Sequence, residues 1–258
     1  MNKRAFALLG ASLLALAGPG IAGSASAQDS VPDFSGFWGA DFTVDTSIRM
    51  PDMIAALPEG AVMIEDVGAA EFPRGEFGGL VLTPAAAEHA ATWNAEQEMT
   101  IQRVCLPPSI VYAVQGPFPF EIYQTRDLIV FRYEYFDQDR LIFMDGRAVP
   151  ENAPHTKMGF SRGHWEGRDL VIETSKIAAS TITNNGLDHT DGIVMTERYR
   201  LSDDGTRLHA TQWFSDREVL ETDGARYITW TARPGEYVYP YECDPSFALE
   251  YGQIGAAE

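Results

Sequence analysis

The sequence predicts an all-β protein, an antiparallel meander that closes into a barrel of about eight to ten strands. Downstream of "CLPPS" the chain consists of short runs rich in β-branched and aromatic residues, which favour strands. Turn-forming pairs such as Asp145-Gly146, Glu166-Gly167 and Asp204-Gly205 separate these runs. Because almost no helical pattern intervenes, closure into a barrel is the expected way to bury the strand edges.

Residues 1–27 have the features of an export signal. Lys3 and Arg4 precede an apolar run from Ala5 to Ile21, and Ala25-Ser26-Ala27 is a small-residue cleavage sequence. No later stretch is apolar enough for a membrane span. We therefore expect cleavage near Ala27 and a periplasmic or secreted chain, residues 28–258, that folds as one β-barrel domain with an N-terminal loop and helix cap.

The charge of the chain excludes several partner classes. The formal net charge is −18, and removal of Lys3 and Arg4 with the signal makes it two units more negative. Such a surface repels nucleic-acid phosphates and anionic lipid, so we expect neither nucleic acid nor a membrane surface as a partner. The phosphate-binding patterns G-x-G-x-x-G and G-K-[ST] are absent from the sequence, so a nucleotide cofactor is not expected. No other cofactor is predicted.

The first part of the mature chain predicts one strand, one loop and one helix. "FSGFWGADFTV" reads as a strand, and the following segment, with Pro51, Pro58 and Pro73, reads as a long loop or cap. Thr83 can cap a helix with Pro84 in its first position. The Ala-rich and Glu-rich composition that follows predicts a helix over about 84–103, the only one that the sequence supports.

The remaining runs are predicted as strands of the barrel. In chain order they are "FEIYQ", "DLIVFRYEYF", "RLIFMD", "GFSRGHW", "DLVIETS", "IVMTERYRLS", "TRLHATQWF", "RYITWTARP" and "EYVYPYE".

Two cysteines, Cys105 and Cys243, remain in the mature chain. An even number of cysteines in an exported protein favours a disulfide. Such a bond would link the C-terminal end to the first part of the chain. The alternative is two buried thiols that pack as small apolar side chains.

One motif resembles the nucleophile elbow of a hydrolase. Gly159-Phe-Ser161-Arg-Gly163 matches G-x-S-x-G, which presents serine on a turn from a strand to a helix. Here "HWEGRDLVIET" follows, and Glu166-Gly167 turns one predicted strand into another. Because no helix follows the serine, we interpret the match as accidental.

The alternation within the strands separates two faces, and neither is purely polar. Ile129, Phe131 and Tyr133 share one face of their strand, as Met195, Glu197 and Tyr199 do in another. Mixed faces are typical of a barrel interior that binds a ligand. The alternative is that the charged residues of these strands form ordinary exposed ion pairs: Arg132, Glu134, Glu197 and Arg198.

The densest polar cluster is "NNGLDHTDG", directly before a strand. His189 and Asp191 are two positions apart, which on extended backbone places both side chains on one side. Histidine suits proton transfer near neutral pH, and a carboxylate can orient it. The alternative is a surface turn, since Asn, Gly and Asp are turn formers. His164-x-Glu166 together with His189-x-Asp191 could instead supply metal ligands, although no HExxH or CxxC is present.

Several segments carry a resemblance to a known group of proteins. They are "PFPFEIYQTRDLIVFRYEY", "RLIFMDGR", "GFSRGHWEGRDLVIETS", "GLDHTDGIVMTERYR" and "YECD", which span roughly Cys105 to Asp244. The chain resembles exported, mostly uncharacterised bacterial proteins with a W-E-G-D-x-L-V-V-x-T signature, which are similar to lipocalin-like β-barrels. The resemblance implies a lipocalin-like fold and leaves the reaction open.

The recurring polar positions of that group fall on particular residues of this chain. Arg168 stands where the group usually has Asp, and Thr190 stands where it often has Ser. "DGR" and "WEGR" are better explained as hairpin turns. The matched positions are Glu121, Glu134, Arg140, Asp145, Trp165, Glu166, His189, Glu197 and Arg198.

These observations lead to two main hypotheses about function, and a stability or interaction module with a filled barrel is a third alternative. The first is a cofactor-independent isomerase, cyclase or lyase that acts by acid–base catalysis on a small apolar or aromatic molecule held in the barrel. The second is a non-catalytic periplasmic carrier of a hydrophobic molecule. The predicted catalytic residues are His189, Asp191, Glu197, Glu134 and Tyr133. The predicted binding residues are Glu121, Tyr123, Phe131, Trp213 and Trp230, with Phe118 and Phe120 as further aromatic contacts.

Overall fold

The computed structural model describes residues 31–41, 45–65 and 72–249, and these form a closed barrel of nine strands. The predicted all-β barrel is confirmed. The strands are β1 (Gly36–Ala40), β2 (Val62–Met63), β3 (Phe120–Gln124), β4 (Leu128–Tyr133), β5 (Gln138–Phe143), β6 (Phe160–Glu166), β7 (Asp169–Ser175), β8 (Ser180–Thr183), β9 (Leu187–His189), β10 (Val194–Leu201), β11 (Arg207–Ser215) and β12 (Gly224–Ala232). The predicted export signal and its cleavage site lie outside the described residues.

Strand β1 closes the barrel. Trp38 is in register with Ala232 of β12 on one side and with Phe120 of β3 on the other. The barrel order is β1, β3, β4, β5, β6, β7, β10, β11 and β12, while β2 adds to β12 from outside the circuit. The neighbours β5 and β6 pair in parallel, with Ile142 opposite Ser161. The antiparallel order is broken at this pair, where a long loop replaces the predicted hairpin after Asp145-Gly146, and β8 and β9 form a separate two-stranded sheet between β7 and β10.

The helical prediction is corrected. Instead of one helix over 84–103, the structure has α2 (Pro84–Thr92) and α3 (Ala95–Glu98). The Thr83 cap is confirmed, since its side chain accepts from the amide of Ala86. Asn94 is extended and accepts from two amides of α3, so it ends one helix and caps the next. Two further short helices lie in the described residues, α1 (Pro51–Ala55) and α4 (Ile110–Ala113).

Aromatic side chains fill much of the barrel interior. The ring of Phe120 lies 5.1 Å from Trp230, and Phe131 lies 5.3 Å from Tyr199. The inward-facing positions of β4 and β10 are those that the alternation grouped together, and they are almost fully buried. These rings form the core by contacting one another.

Two polar side chains inside the barrel bind the backbone of α4 and β8. Gln212 and Arg226 both donate to the carbonyl of Val111, and Arg226 also donates to the carbonyl of Ile182 at 2.6 Å. Because these donors and acceptors are buried, the hydrogen bonds fix α4 and β8 against β11 and β12.

The C-terminal segment differs from its prediction. "EYVYPYE" forms no strand, because β12 already pairs with β1 and the chain leaves the sheet. Instead, the amide of Tyr239 donates to Glu134 at 3.1 Å, and the amide of Tyr241 donates to Asp137 at 3.1 Å.

The predicted disulfide between Cys105 and Cys243 is confirmed, with its Cα atoms 5.8 Å apart. Among the described residues, no helix combines the length and apolar character needed to cross a membrane.

Candidate functional site

A cleft of about 360 Å³ lies where the α3–α4 loop faces the hairpin of β8 and β9. Ligand pockets in proteins start at about 300 Å³, so the cleft can accept a small molecule. Its walls combine aromatic, apolar and ionisable side chains, among them Trp93, Leu106, Tyr135, Lys157, Asp188 and His189.

His189 is the buried histidine of this cleft, only 2% exposed. Its Nδ1 lies 2.8 Å from the carbonyl oxygen of Thr190, and its Nε2 lies 2.7 Å from Oγ of Ser109. A carbonyl can only accept, so Nδ1 carries the proton. In the neutral ring Nε2 is then an acceptor, and the Ser109 hydroxyl donates to it. The two contacts fix one tautomer.

The surroundings of His189 favour the neutral ring. Burial lowers its pKa, while the Thr190 carbonyl and the charge of Asp216 act in the opposite direction. Asp216 also accepts from the amide of Thr190 at 2.7 Å and from its hydroxyl at 3.0 Å. Asp216 thus holds the residue that orients the imidazole. The result is an unprotonated Nε2 near neutral pH.

The predicted partnership of His189 with Asp191 is corrected. Thr190 takes the place at Nδ1, and Asp191 is exposed in the turn before β10. His189 ends strand β9, so its side chain points to the buried side, whereas the chain has already turned outward two residues later. The expected spacing of two along an extended strand does not apply at this point.

Four chain segments meet beneath the cleft through hydrogen bonds. The amide of Ser109 donates to Oγ of Ser180 at 3.0 Å, and the amide of Ile110 donates to the carbonyl of Lys157 at 2.9 Å. Nζ of Lys157 donates in turn to the carbonyl of Ala179 at 2.9 Å. With the Ser109–His189 bond, these contacts join the start of α4 to Lys157, β8 and β9. The polar groups of the site are therefore held in place before any ligand binds.

Lys157 brings a second ionisable group to the cleft. Partial burial lowers the pKa of its amine, while Asp188 opposes that shift. The charge of Lys157 also contributes to lowering the pKa of His189. The cleft therefore contains a neutral imidazole and an amine that loses its proton more readily than an exposed lysine does.

The predicted catalytic residues Glu197 and Tyr133 lie inside the barrel, away from these contacts. Glu197 forms a fully buried ion pair with Arg140 and accepts from the hydroxyl of Tyr199 at 2.8 Å. Burial raises the pKa of the Tyr133 hydroxyl. Because Glu197 is paired with the charged Arg140 in the core, its role in this fold is structural.

Ser161 belongs to the same buried network. Its Oγ accepts from Nε of Arg140 at 3.0 Å and lies 2.9 Å from Oγ1 of Thr174. Ser161 is within β6 and fully buried, with no strand-to-helix turn around it. The G-x-S-x-G match is therefore part of a strand.

The other predicted site residues are distributed over the core and the outer surface. Tyr123 donates to Glu121 at 2.6 Å on the outer face. Trp213 donates to Asp223 at 3.2 Å and lines a separate outer groove with Leu57. Of the remaining residues, Phe120, Phe131 and Trp230 pack in the core, Phe118 stacks on Tyr135, and Glu134 accepts from the amide of Tyr239.

The two histidine pairs considered as metal ligands have different surroundings. His164 lies 3.1 Å from Glu166 on the exposed face of β6, where Glu166 also pairs with Arg198. His189 is buried in the cleft. The part of the chain that the structure describes contains no group of three or more His, Cys, Asp or Glu side chains placed to hold a metal ion.

Among the site residues that the sequence reasoning missed, three make the polar contacts described above: Ser109, Lys157 and Asp216. Ser109 had one usable signal, because a serine after "CLPP" and before an apolar run is typical of a helix start. Lys157 and Asp216 carry no motif, since their roles depend on contacts between distant segments.

The buried imidazole predicts a pH-dependent stability. Its folded-state pKa lies below its unfolded value, so protons bind the unfolded chain more readily and the free energy of unfolding falls as pH drops below about 6.5. Between that pH and the folded-state pKa, the loss approaches at most about 1.4 kcal/mol per pH unit. In urea titrations the stability advantage of the parent over His189→Gln should shrink in this window. A constant difference between pH 7.5 and 5 would contradict the neutral buried ring.

Comparisons with known proteins add no family to these observations. A scan against protein-family models found no match, and a search of curated proteins found no match.

Proposed function

We propose that the protein is an exported, cofactor-independent enzyme that acts by acid–base catalysis on a small apolar or aromatic molecule. The class of reaction is isomerisation, cyclisation or elimination. The observation that carries this proposal is the fixed tautomer of His189 in a ligand-sized cleft. The disulfide is consistent with an oxidising compartment, and a periplasmic or secreted location is part of the proposal.

The proposed base is the Ser109–His189 pair. His189 lines the cleft and its Nε2 is unprotonated, so in this proposal Nε2 accepts a proton from the ligand while the Ser109 hydroxyl, which is buried behind the cleft, turns away from it. The imidazolium that forms keeps Nδ1–H on the Thr190 carbonyl. The Asp216 carboxylate, which is bound to Thr190, stabilises that positive charge. Return of the proton to another atom of the ligand completes the reaction.

The walls of the cleft support a partly aromatic ligand. Trp93, Tyr135 and Phe136 line it together with Leu106 and a proline pair. Such aromatic surfaces bind apolar rings, and the polar side chains that also line the cleft, among them Lys157, Asp188 and His189, set the orientation. The ligand therefore binds in the cleft in this proposal, and the aromatic residues inside the barrel belong to the core.

The second candidate is a carrier of the same kind of molecule. The aromatic wall of the cleft favours it, because binding needs these side chains and does not need a base. The two functions differ in the consequence of one substitution. A carrier with His189→Gln keeps its affinity and has no turnover to lose, whereas an enzyme keeps binding and loses turnover.

Proton abstraction can be tested before the natural ligand is known. The mature protein is incubated in D₂O with phenylacetone, phenylacetaldehyde and acetophenone, and ¹H NMR follows exchange of the C–H protons beside the carbonyl. We expect catalysed exchange for at least one probe. Replacement of a general base typically costs about 10²–10⁴-fold, so His189→Gln should lower the rate by about 10²-fold or more.

The matched control is His209→Gln. His209 is also a buried histidine with a pKa lowered by burial, but it bonds to Tyr227 instead of lining the cleft. It reproduces the loss of a buried imidazole without touching the proposed base. Equal exchange rates for the parent and His189→Gln, or no catalysed exchange with any of the probes, would contradict the proposal.

A further inference from the structure

We infer that Lys157 is an imine-forming residue, so that the cleft takes small aldehydes or ketones as covalent ligands. This inference rests on the proposed function and names its substrate class. Two observations support it: the position of the Lys157 amine at the wall of the cleft, and the small number of lysines relative to arginines in the chain.

The chain uses arginine almost everywhere that it needs a positive charge. After the predicted cleavage site it has fifteen arginines and two lysines, Lys157 and Lys176. Arginine does not lose its proton in proteins, whereas lysine can become a neutral nucleophile when it is partly buried. One of the two lysines lines the cleft beside His189, and the other does not.

Both the backbone and the side-chain amine of Lys157 form hydrogen bonds. Its backbone carbonyl accepts from the amide of Ile110 at 2.9 Å, and its Nζ donates to the carbonyl of Ala179 at 2.9 Å. The amine is thereby placed at the wall of the cleft, and partial burial lowers its pKa. Among the described residues, the Ala179 carbonyl is the one hydrogen-bond acceptor of Nζ, so in this inference the nitrogen has positions left for a ligand in the cleft that Lys157 lines. Nζ of Lys176 also donates to a backbone carbonyl, that of Glu151 at 3.4 Å, but Lys176 does not line the cleft.

The chemistry balances without an added oxidant or reductant. The free amine of Lys157 attacks the carbonyl carbon and the C–N bond forms; the oxygen takes up one proton from solvent and leaves as water, which gives a protonated imine. The cation draws electrons from the neighbouring C–H bond. Its proton passes to the Ser109–His189 pair, and an enamine forms. Protonation at the same or another carbon followed by addition of water releases the exchanged or isomerised carbonyl compound and the free amine.

The test is reductive trapping with a defined probe. Mature protein, Lys157→Arg and Lys176→Arg are incubated with phenylacetone and sodium cyanoborohydride, and intact mass with peptide mapping locates the secondary amine. We expect Lys157 to be labelled at least about tenfold faster than Lys176, as an activated lysine requires. Lys157→Arg keeps a positive charge at this position, and thermal unfolding verifies that the variant is folded.

Deuterium exchange separates this inference from the proposed function. Loss of exchange in Lys157→Arg, with a trapped adduct on Lys157 in the parent, supports the imine. Exchange that needs His189 but is unchanged in Lys157→Arg overturns the imine and leaves the acid–base proposal standing. Equal labelling of Lys157 and Lys176, or no adduct on Lys157, also overturns it.

Discussion

Glu197→Leu is expected to lower the free energy of unfolding by about 3–5 kcal/mol. Arg140 and Glu197 are both fully buried, and the change leaves the guanidinium in the core without its carboxylate. Burial alone would lower the pKa of Arg140, but its interactions with Glu197, Tyr133 and Tyr199 together raise it. Urea unfolding of the parent and the variant measures the loss.

Two further variants test whether the ion pair causes this loss. In Arg140→Met/Glu197→Leu both charges are gone, and apolar replacements of similar volume often restore stability. We expect the double variant to recover most of the loss. Glu173→Gln, which removes an exposed pair with Arg162, should cost less than about 1 kcal/mol. A Glu197→Leu variant as stable as Glu173→Gln would show that the pair is not a major part of the fold.

The second large effect is expected from loss of the disulfide. Cys105 and Cys243 are 138 positions apart, and removing a native disulfide typically costs about 2–5 kcal/mol. The variant Cys105→Ala/Cys243→Ala should show this loss in urea unfolding. Residues on both sides of Cys105, Val104 and Leu106, line the cleft, so we also expect slower labelling of Lys157 by phenylacetone.

Reduction supplies the control for this prediction. Parent protein in dithiothreitol should unfold at the same urea concentration as the double variant, whereas dithiothreitol should leave the variant unchanged. A variant within about 0.5 kcal/mol of the oxidised parent would mean that the bond does not clamp the C-terminal segment to the fold.

The barrel fold could be predicted from local sequence patterns because every strand of a barrel obeys the same alternation of inward and outward side chains. Side chains of a strand alternate between two faces, so the runs around Phe131 and Glu197 showed which residues point together. The helix prediction failed at Asn94 for an equally local reason. The Asn94 side chain accepts hydrogen bonds from the first amides of α3, and the extended backbone that this requires ends α2. The parallel pairing of β5 and β6 depends on a loop path that no local pattern specifies.

The site was only partly predictable. His189 was identified from its polar neighbourhood, but its partner Ser109 is 80 positions away and Asp216 is 26 positions beyond Thr190. The alternation identifies which residues share a face, yet it does not reveal which distant segments meet at the end of a barrel. Glu197 shows the opposite error, since a polar residue predicted for catalysis instead pairs with Arg140 in the core.

The exchange reaction in D₂O tests the central claim most directly when it is followed against pH. If His189 is the base, exchange of the probe increases with pH through a midpoint below the ordinary histidine value of about 6.5. His189→Gln should abolish this increase, and His209→Gln should retain it. Exchange with the same pH profile in the parent and in His189→Gln would contradict a catalytic role for the Ser109–His189 pair.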